Sequence, residues 1–230
     1  MSIVQSFSNS LKAAVVDVPL IISSMGQECD LAPDTDTHDL PLAEWLQIVN
    51  ATFNQQPWNY GSEVAAAYAN DSDVDPALAY ASINADYSLS CGNVAIATAA
   101  KLAAFKSPIY VIVNQWHPEH NAAQARPRWA FHTFDYCAAF EQWADLRIAP
   151  TEQDLQFSSF MRALMATFIY GNTSSWGIRS IDSVHDFPSS YVVNVVEIES
   201  GGSAAVVDYK AEQCNMWKRI GLDERFWWID

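Results

Sequence analysis

Basic side chains are scarce in this sequence of 230 residues, where 12 Lys and Arg stand against 27 Asp and Glu and give a formal net charge of −15. This balance argues against a nucleic-acid partner, because binding to a phosphate backbone depends on Lys and Arg. It equally disfavours an anionic membrane surface. Charged residues make up only 17% of the chain and aromatic residues 13%, so we expect a folded protein rather than a disordered one.

Long apolar runs are also missing. No stretch approaches the 18 uninterrupted apolar residues of a transmembrane helix, and residues 1–5 lack the basic and apolar regions of a signal peptide. We therefore expect neither a membrane span nor a signal peptide in this chain. Four cysteines are too few for a disulfide scaffold, and their spacing alone does not say which of them pair. No linker or shift in composition marks a domain boundary.

Short β-branched runs and amphipathic segments alternate along the chain. The runs at 16–24, 109–113 and 191–198 predict strands. Apolar side chains at helical spacing, or an Ala-rich composition, predict helices at 41–53, 63–69, 76–87, 94–105, 134–143, 154–170 and 210–220. Strands separated by helices indicate an α/β fold with a mostly parallel sheet flanked by helices, although three strands are few for such a sheet.

Five segments carry motifs in a recognisable order. They are Val18-Pro-Leu-Ile-Ile-Ser-Ser-Met-Gly-Gln-Glu-Cys-Asp30, Ile109-Tyr-Val-Ile-Val113, His132-Thr-Phe-Asp-Tyr-Cys-Ala-Ala-Phe140, Asp154–Asn172 and Gln213-Cys-Asn-Met-Trp217. In that order they resemble the motifs VPLLIGxxxDEGxxF, vYlYxF, HGxE[LI]xxxF, LSxxMxxxWxxFAxxGNP and qCxfW of the carboxylesterase type B, or cholinesterase-like, family. The resemblance covers almost the whole chain. It implies that residues 1–230 are a single C-terminal portion of an α/β-hydrolase domain.

The resemblance also implies two catalytic residues. In this family the histidine of the third motif is the base of a catalytic triad and the glutamate of the first motif is its acid, which points to His132 and Glu28. Their order agrees with the Ser, acid, His order of α/β-hydrolases. The acid holds one tautomer of the imidazole, and the histidine takes a proton from the nucleophile and returns it to the leaving alcohol.

The nucleophile itself is missing. The sequence contains no Gly-x-Ser-x-Gly, and it has no glycine-rich oxyanion loop upstream of the histidine. The family carries both in its N-terminal half, so the resemblance implies a partner that supplies them, either a separate chain or a fragment. With it we expect a carboxylic-ester hydrolase that acts on a small-molecule ester without a cofactor; alone the chain would be inactive. A sheet cut across its middle would leave an open edge, so we expect a large obligate interface.

Four departures from the motifs favour a different class of function. Gln27 replaces the Asp before the acid, Cys29 replaces the Gly after it, Thr133 replaces the Gly after the histidine, and Asp135 replaces a Glu. A glycine in such a turn often serves a positive φ, so Thr133 is expected to reshape the loop. The alternative is therefore a non-catalytic cholinesterase-like adhesion, assembly or scaffold module. The sequence of the partner would distinguish the two functions, and a third possibility is that the sequence belongs to a longer natural chain.

The family pattern further implies a disulfide between Cys91 and Cys214. Such a bond requires an oxidising compartment, and a secreted protein would then carry its signal peptide on the N-terminal part. Three Asn-x-Ser/Thr sequons agree with secretion and mark Asn50, Asn70 and Asn172 as candidate glycosylation sites. For Cys29 and Cys137 a buried thiol and a second disulfide both remain open.

The remaining histidines and tryptophans have plainer interpretations. His117 and His120 have the spacing of a metal pair, but Pro118 between them disfavours the helix that such a face needs, and a solvated loop is expected. We expect no metal site. The histidines in acidic loops are expected on the surface, and the C-terminal tryptophans at a packing edge or interface: His38, His185, Trp217, Trp227 and Trp228.

Overall fold

The computed structural model describes residues 17–28, 41–55, 59–70, 75–103, 105–117, 129–145, 149–171, 177–186, 189–197 and 202–221. Four strands and seven α-helices are found in this part of the chain. In chain order they are β1 (Leu20–Met25), α1 (Leu42–Phe53), α2 (Gly61–Ala67), α3 (Pro76–Ala85), α4 (Cys91–Leu102), β2 (Ile109–Asn114), α5 (Phe134–Ala139), α6 (Glu152–Ile169), β3 (Val192–Glu197), β4 (Gly202–Val207) and α7 (Ala211–Arg219). A π-helical segment, Asp86–Ser90, joins α3 to α4.

The strands form one sheet in the order β1-β2-β3-β4. β1 and β3 both run parallel to β2, whereas β4 runs antiparallel to β3. Leu20 lies opposite Ile109 and Met25 opposite Asn114, so β1 and β2 end at the same edge. The predicted α/β fold is confirmed as a mixed sheet flanked by helices. The sequence pattern does not predict β4, because its first half consists of Gly, Ser and Ala, which are poor strand formers.

The helices begin where local capping favours them. Thr151 and Asp154 form a capping box at the start of α6, in which each side chain accepts from the other residue's N–H. The Asp75 side chain caps α3 by accepting the N–H groups of Ala77 and Leu78, and Pro76 follows at the first helical position. The structure therefore starts α6 at Glu152, two residues earlier than the periodicity indicates.

Helices cover both faces of the sheet, as a parallel sheet requires. On one face Phe131 and Phe134 pack with α6, where the Phe134 and Phe157 rings stack at 5.5 Å between centroids. On the other face the apolar side chains of β2 and β3 pack against α4. A third cluster holds α1, α2, α3 and α7 together around Trp45, Tyr68 and Trp217. Trp217 is buried inside this cluster rather than at an edge or interface, while Trp227 and Trp228 lie outside the described residues.

The disulfide between Cys91 and Cys214 is present, which confirms the predicted pairing. It joins the start of α4 to α7, and a buried polar network lies beside it. In that network Asp86 accepts hydrogen bonds from the Tyr68 hydroxyl and the Lys210 ammonium, both at 2.8 Å. The helix α7 is therefore held by a covalent bond and an ion pair together.

Two further sequence predictions concern cysteines and membranes. Cys137 is a buried free thiol, while Cys29 lies outside the described residues. Within the described ranges no helix is long and apolar enough to cross a bilayer.

Candidate active site

The candidate site lies where β1 and β2 end. Beyond Met25 the chain turns through Gly26 and Gln27 to Glu28, and β2 ends beside it at Asn114. In open α/β sheets ligands bind outside the carboxyl ends of the parallel strands. The sheet thus places Glu28 at the edge where chemistry is expected.

Glu28 and His132 are in direct contact at this edge, although 104 residues separate them in sequence. His132 Nδ1 lies 2.5 Å from Glu28 Oε2, and the other carboxylate oxygen accepts the Met25 N–H at 2.5 Å. The Glu28 side chain is buried, whereas that of His132 is 56% exposed. Since Nδ1 faces the carboxylate, the second ring nitrogen, Nε2, is left for a reacting group. The catalytic roles of both residues stay predictions.

Burial raises the pKa of Glu28 above its ordinary value. The hydrogen bonds from Met25 and His132 oppose this rise in pKa, while the nearby negative charge of Asp135 adds to it. The carboxylate form is therefore costly at this place, and its two hydrogen bonds offset part of that cost.

The histidine is presented by a short loop between two buried aromatic residues. Phe131 and Phe134 are both buried, with ring centroids 5.1 Å apart, and they flank the exposed His132. The residue between His132 and Phe134 is Thr133, which has φ of +66°. This left-handed conformation is unfavourable for a β-branched residue. Thr133 therefore has the positive φ that glycine serves in such turns, and the reshaping of the loop expected from the sequence stays a prediction.

Replacing Thr133 by Gly is expected to raise the free energy of unfolding by about 1 kcal/mol, because the left-handed strain of roughly 1–2 kcal/mol is removed while glycine adds some unfolded-state entropy. Urea unfolding followed by circular dichroism would measure the change. Thr151→Gly is the matched control, since Thr151 has an ordinary φ of −79° and caps α6. The control is expected to lose stability; a loss at Thr133 as well would contradict the strain argument.

Asp135 connects α5, the helix that follows the histidine loop, to the strands β1 and β2. One of its oxygens accepts from Asn114 Nδ2 at 2.8 Å and from Ser23 Oγ at 3.3 Å, and the other accepts the Tyr136 N–H. Burial raises the pKa of Asp135. In the sequence Asp135 stands out only as a departure from the family motif. Ser23 in the second half of β1 and Asn114 at the end of the otherwise apolar β2 are the polar residues by which this cluster could be found.

A cleft of about 330 Å³ adjoins the acid loop. It opens beyond Gln27, between the ends of β2 and β3, and is lined by Gln27, Leu78, Gln115, Trp116, His117, Trp129 and Glu197. The His117 ring stacks on Trp116 and is exposed. His120 and His38 lie outside the described residues, and His185 is exposed as predicted. Within the described part of the chain, no three His, Cys, Asp or Glu side chains are grouped to hold a metal.

The three sequons fall in different environments. Asn50 is half-buried within α1, and its Nδ2 donates to the Leu46 carbonyl at 2.8 Å. Asn70 is exposed, and Asn172 lies outside the described residues. Glycosylation at these positions stays a prediction. Of the two described asparagines, Asn70 is more exposed than Asn50.

No protein-family model matches the sequence, and no curated protein matches it. Among solved structures the chain is similar to a thermophilic PNB esterase, with a TM-score of 0.53 and 19% sequence identity. The similarity covers 91% of this chain and 40% of the esterase chain. The chain thus spans less than half the length of the enzyme it resembles. At this identity the comparison establishes the fold alone, which is α/β-hydrolase-like.

Proposed function

We propose that this chain supplies the acid and the histidine of a Ser-His-Glu triad in a carboxylic-ester hydrolase. The observation that carries the proposal is the 2.5 Å contact between a buried Glu28 and an exposed His132 at the carboxyl edge of a parallel sheet. The nucleophilic serine and the oxyanion donors would come from an N-terminal α/β-hydrolase half that carries Gly-x-Ser-x-Gly, on a separate chain or fragment. The esterase fold of the similar structure supports this assignment.

The proposed reaction follows from which nitrogen of His132 is engaged. With Nδ1–H donated to Glu28, Nε2 accepts the proton of the serine hydroxyl as its oxygen attacks the ester carbonyl carbon. Nε2 then gives this proton to the alkoxide that leaves, and an acyl-serine remains. A water loses a proton to Nε2 and attacks the acyl carbon. Nε2 returns this proton to the serine oxygen as the bond from that oxygen to the acyl carbon breaks, which releases the acid and restores the serine hydroxyl. Glu28 stabilises the imidazolium in both halves of the reaction, so no cofactor is required.

The surface beside the site would hold the missing half. In the described residues β1 pairs with β2 alone, which leaves its other edge without a neighbouring strand. Two aromatic rings are also exposed, those of Tyr136 in α5 and of Phe140 just after it, which lie 4.8 Å apart and are 53% and 58% exposed. An open parallel edge and exposed aromatic rings are both costly in water. An N-terminal half that pairs a strand with β1 and also covers the two rings would remove both costs.

The disulfide between Cys91 and Cys214 is the basis for proposing an oxidising compartment. Cystine bonds of this kind persist in oxidising compartments, so a secreted protein or one in the secretory pathway is the natural assignment. Glycosylation at the exposed Asn70 would be consistent with it.

Purification without reductant tests the proposal directly. We expect a tightly bound chain with a Gly-x-Ser-x-Gly sequence, identified by intact mass and peptide mapping, whose serine is labelled by a fluorophosphonate. Labelling should be lost when His132 is replaced by Gln and retained in His185→Gln, the matched control at another exposed histidine. A partner without this serine would instead indicate a non-catalytic adhesion, assembly or scaffold module.

A further inference from the structure

Gln27 holds the histidine loop with its main chain and its side chain together. Its N–H donates to the Ala130 carbonyl at 2.9 Å, and the Ala130 N–H donates to Gln27 Oε1 at 3.0 Å. Gln27 and Phe131 also form an isolated parallel β-bridge. One residue therefore engages both polar main-chain groups of Ala130, two positions before His132.

These hydrogen bonds are shielded from water. Gln27 is 7% exposed and Ala130 is fully buried, so solvent cannot replace a lost partner. A buried N–H left without an acceptor costs roughly 1–3 kcal/mol. The acid and histidine loops meet here as an isolated bridge rather than as a strand ladder. The relative position of Glu28 and His132 consequently depends on the two hydrogen bonds between Gln27 and Ala130.

A second hydrogen bond fixes the orientation of the Gln27 amide. Because Oε1 faces the Ala130 N–H, Nε2 faces Gln115 Oε1 at 3.4 Å. The Gln115 Nε2 in turn donates to the Tyr209 hydroxyl at 3.0 Å. The Gln115 side chain lies against Gly26, where a Cβ would come within 2.3 Å of its Oε1. This chain of hydrogen bonds, the Gln27 relay, fixes the orientation of both amides, because the Ala130 N–H must face the oxygen of Gln27.

We propose that Gln27 is a positioning residue for the Glu28–His132 pair, an inference that rests on the proposed function. Its carboxamide fixes the distance between the acid and histidine loops, and it does so without charge. A carboxylate here would lack the donor for Gln115 and would place a second negative charge beside Glu28, whose burial already disfavours ionisation. The neutral glutamine therefore suits a buried acid in this loop.

Two variants of nearly equal length test the role of the Gln27 carboxamide. Gln27→Met removes both hydrogen bonds of the side chain, whereas Gln27→Glu keeps an acceptor for the Ala130 N–H. The readout is the hydrogen-bonded Nδ1–H proton of His132 in NMR spectra of the full chain, assigned by its loss in His132→Gln. We expect this resonance to be lost in Gln27→Met and retained in Gln27→Glu. Gln213→Met is the matched control, since the Gln213 amide bonds the Ala67 carbonyl far from the site.

The same variants would then be measured in the complex with the N-terminal half. Gln27→Met is expected to lower kcat about 100-fold with KM unchanged, as for a small misplacement of a catalytic group. An unchanged His132 resonance in Gln27→Met, an equal loss in Gln213→Met, or no such resonance in the wild-type chain would overturn the inference. If the resonance behaves as expected while the complex hydrolyses no ester, Gln27 still positions the pair and the proposed function is the part that fails.

Discussion

Glu28→Gln is expected to lower the kcat of the proposed esterase, assembled with its N-terminal half, by about 10⁴-fold. The amide occupies the same space, and its oxygen still accepts the Met25 N–H. Its NH₂ group, however, would donate to His132 Nδ1 and so favour the tautomer with its proton on Nε2. That tautomer cannot take the serine proton. Steady-state hydrolysis of a p-nitrophenyl ester would measure the loss.

Although Glu28→Gln is expected to lower kcat, it is not expected to lower the free energy of unfolding at pH 7. Because burial raises the pKa of Glu28 in the folded state, this group contributes most to the free energy of unfolding below its ordinary pKa of about 4.5, and the contribution is lost as the pH rises through the folded-state pKa. At pH 7 the variant should therefore be at least as stable as the wild type. Urea unfolding at pH 4 and pH 7 would check the sign, with Glu44→Gln on the exposed surface of α1 as the control. A variant that keeps kcat within tenfold of the wild type would remove Glu28 from the mechanism.

Removing the disulfide is expected to lower the free energy of unfolding by about 4–5 kcal/mol, because a cross-link that closes so long a loop strongly restricts the unfolded chain. The loop between Cys91 and Cys214 spans 123 positions and contains β2, β3, β4 and the histidine helix α5. The double variant Cys91→Ser/Cys214→Ser would be compared with the wild type by urea unfolding. Dithiothreitol should lower the stability of the wild type and leave the double variant unchanged. A loss below about 1 kcal/mol would mean that the ion pair between Asp86 and Lys210 holds α7 without the disulfide.

The sequence predicts the parts of this fold that depend on local pattern. β2 is found where a run of β-branched residues lies, and the Glu28–His132 contact joins residues that a family resemblance alone selects. The π-helical segment Asp86–Ser90 is not predicted, since the acidic and polar residues there interrupt the periodicity. Its Asp86 is instead buried against Lys210, 124 positions away.

The hydrogen bonds of the relay through Gln27 could not be predicted from the sequence either, because they join residues that are far apart in it. Its partners Ala130, Gln115 and Tyr209 come from three distant segments, and no spacing rule links an amide to them. Sequence comparison presents Gln27 as a loss from a motif. In the folded chain Gln27 has buried hydrogen-bond partners, because the packing of the whole sheet brings the acid loop and the histidine loop together.

The open β1 edge and the exposed rings of Tyr136 and Phe140 have a consequence for the stability of the chain in a cell. Before it meets the proposed partner, a newly made copy has, in the part of the chain that the structure describes, unpaired main-chain groups on β1 and exposed aromatic rings. Such features are bound by chaperones and promote aggregation. Such an orphan copy would be retained and degraded. The abundance of this protein would then follow the rate at which the cell makes its partner, and expression of the chain by itself would give little native material.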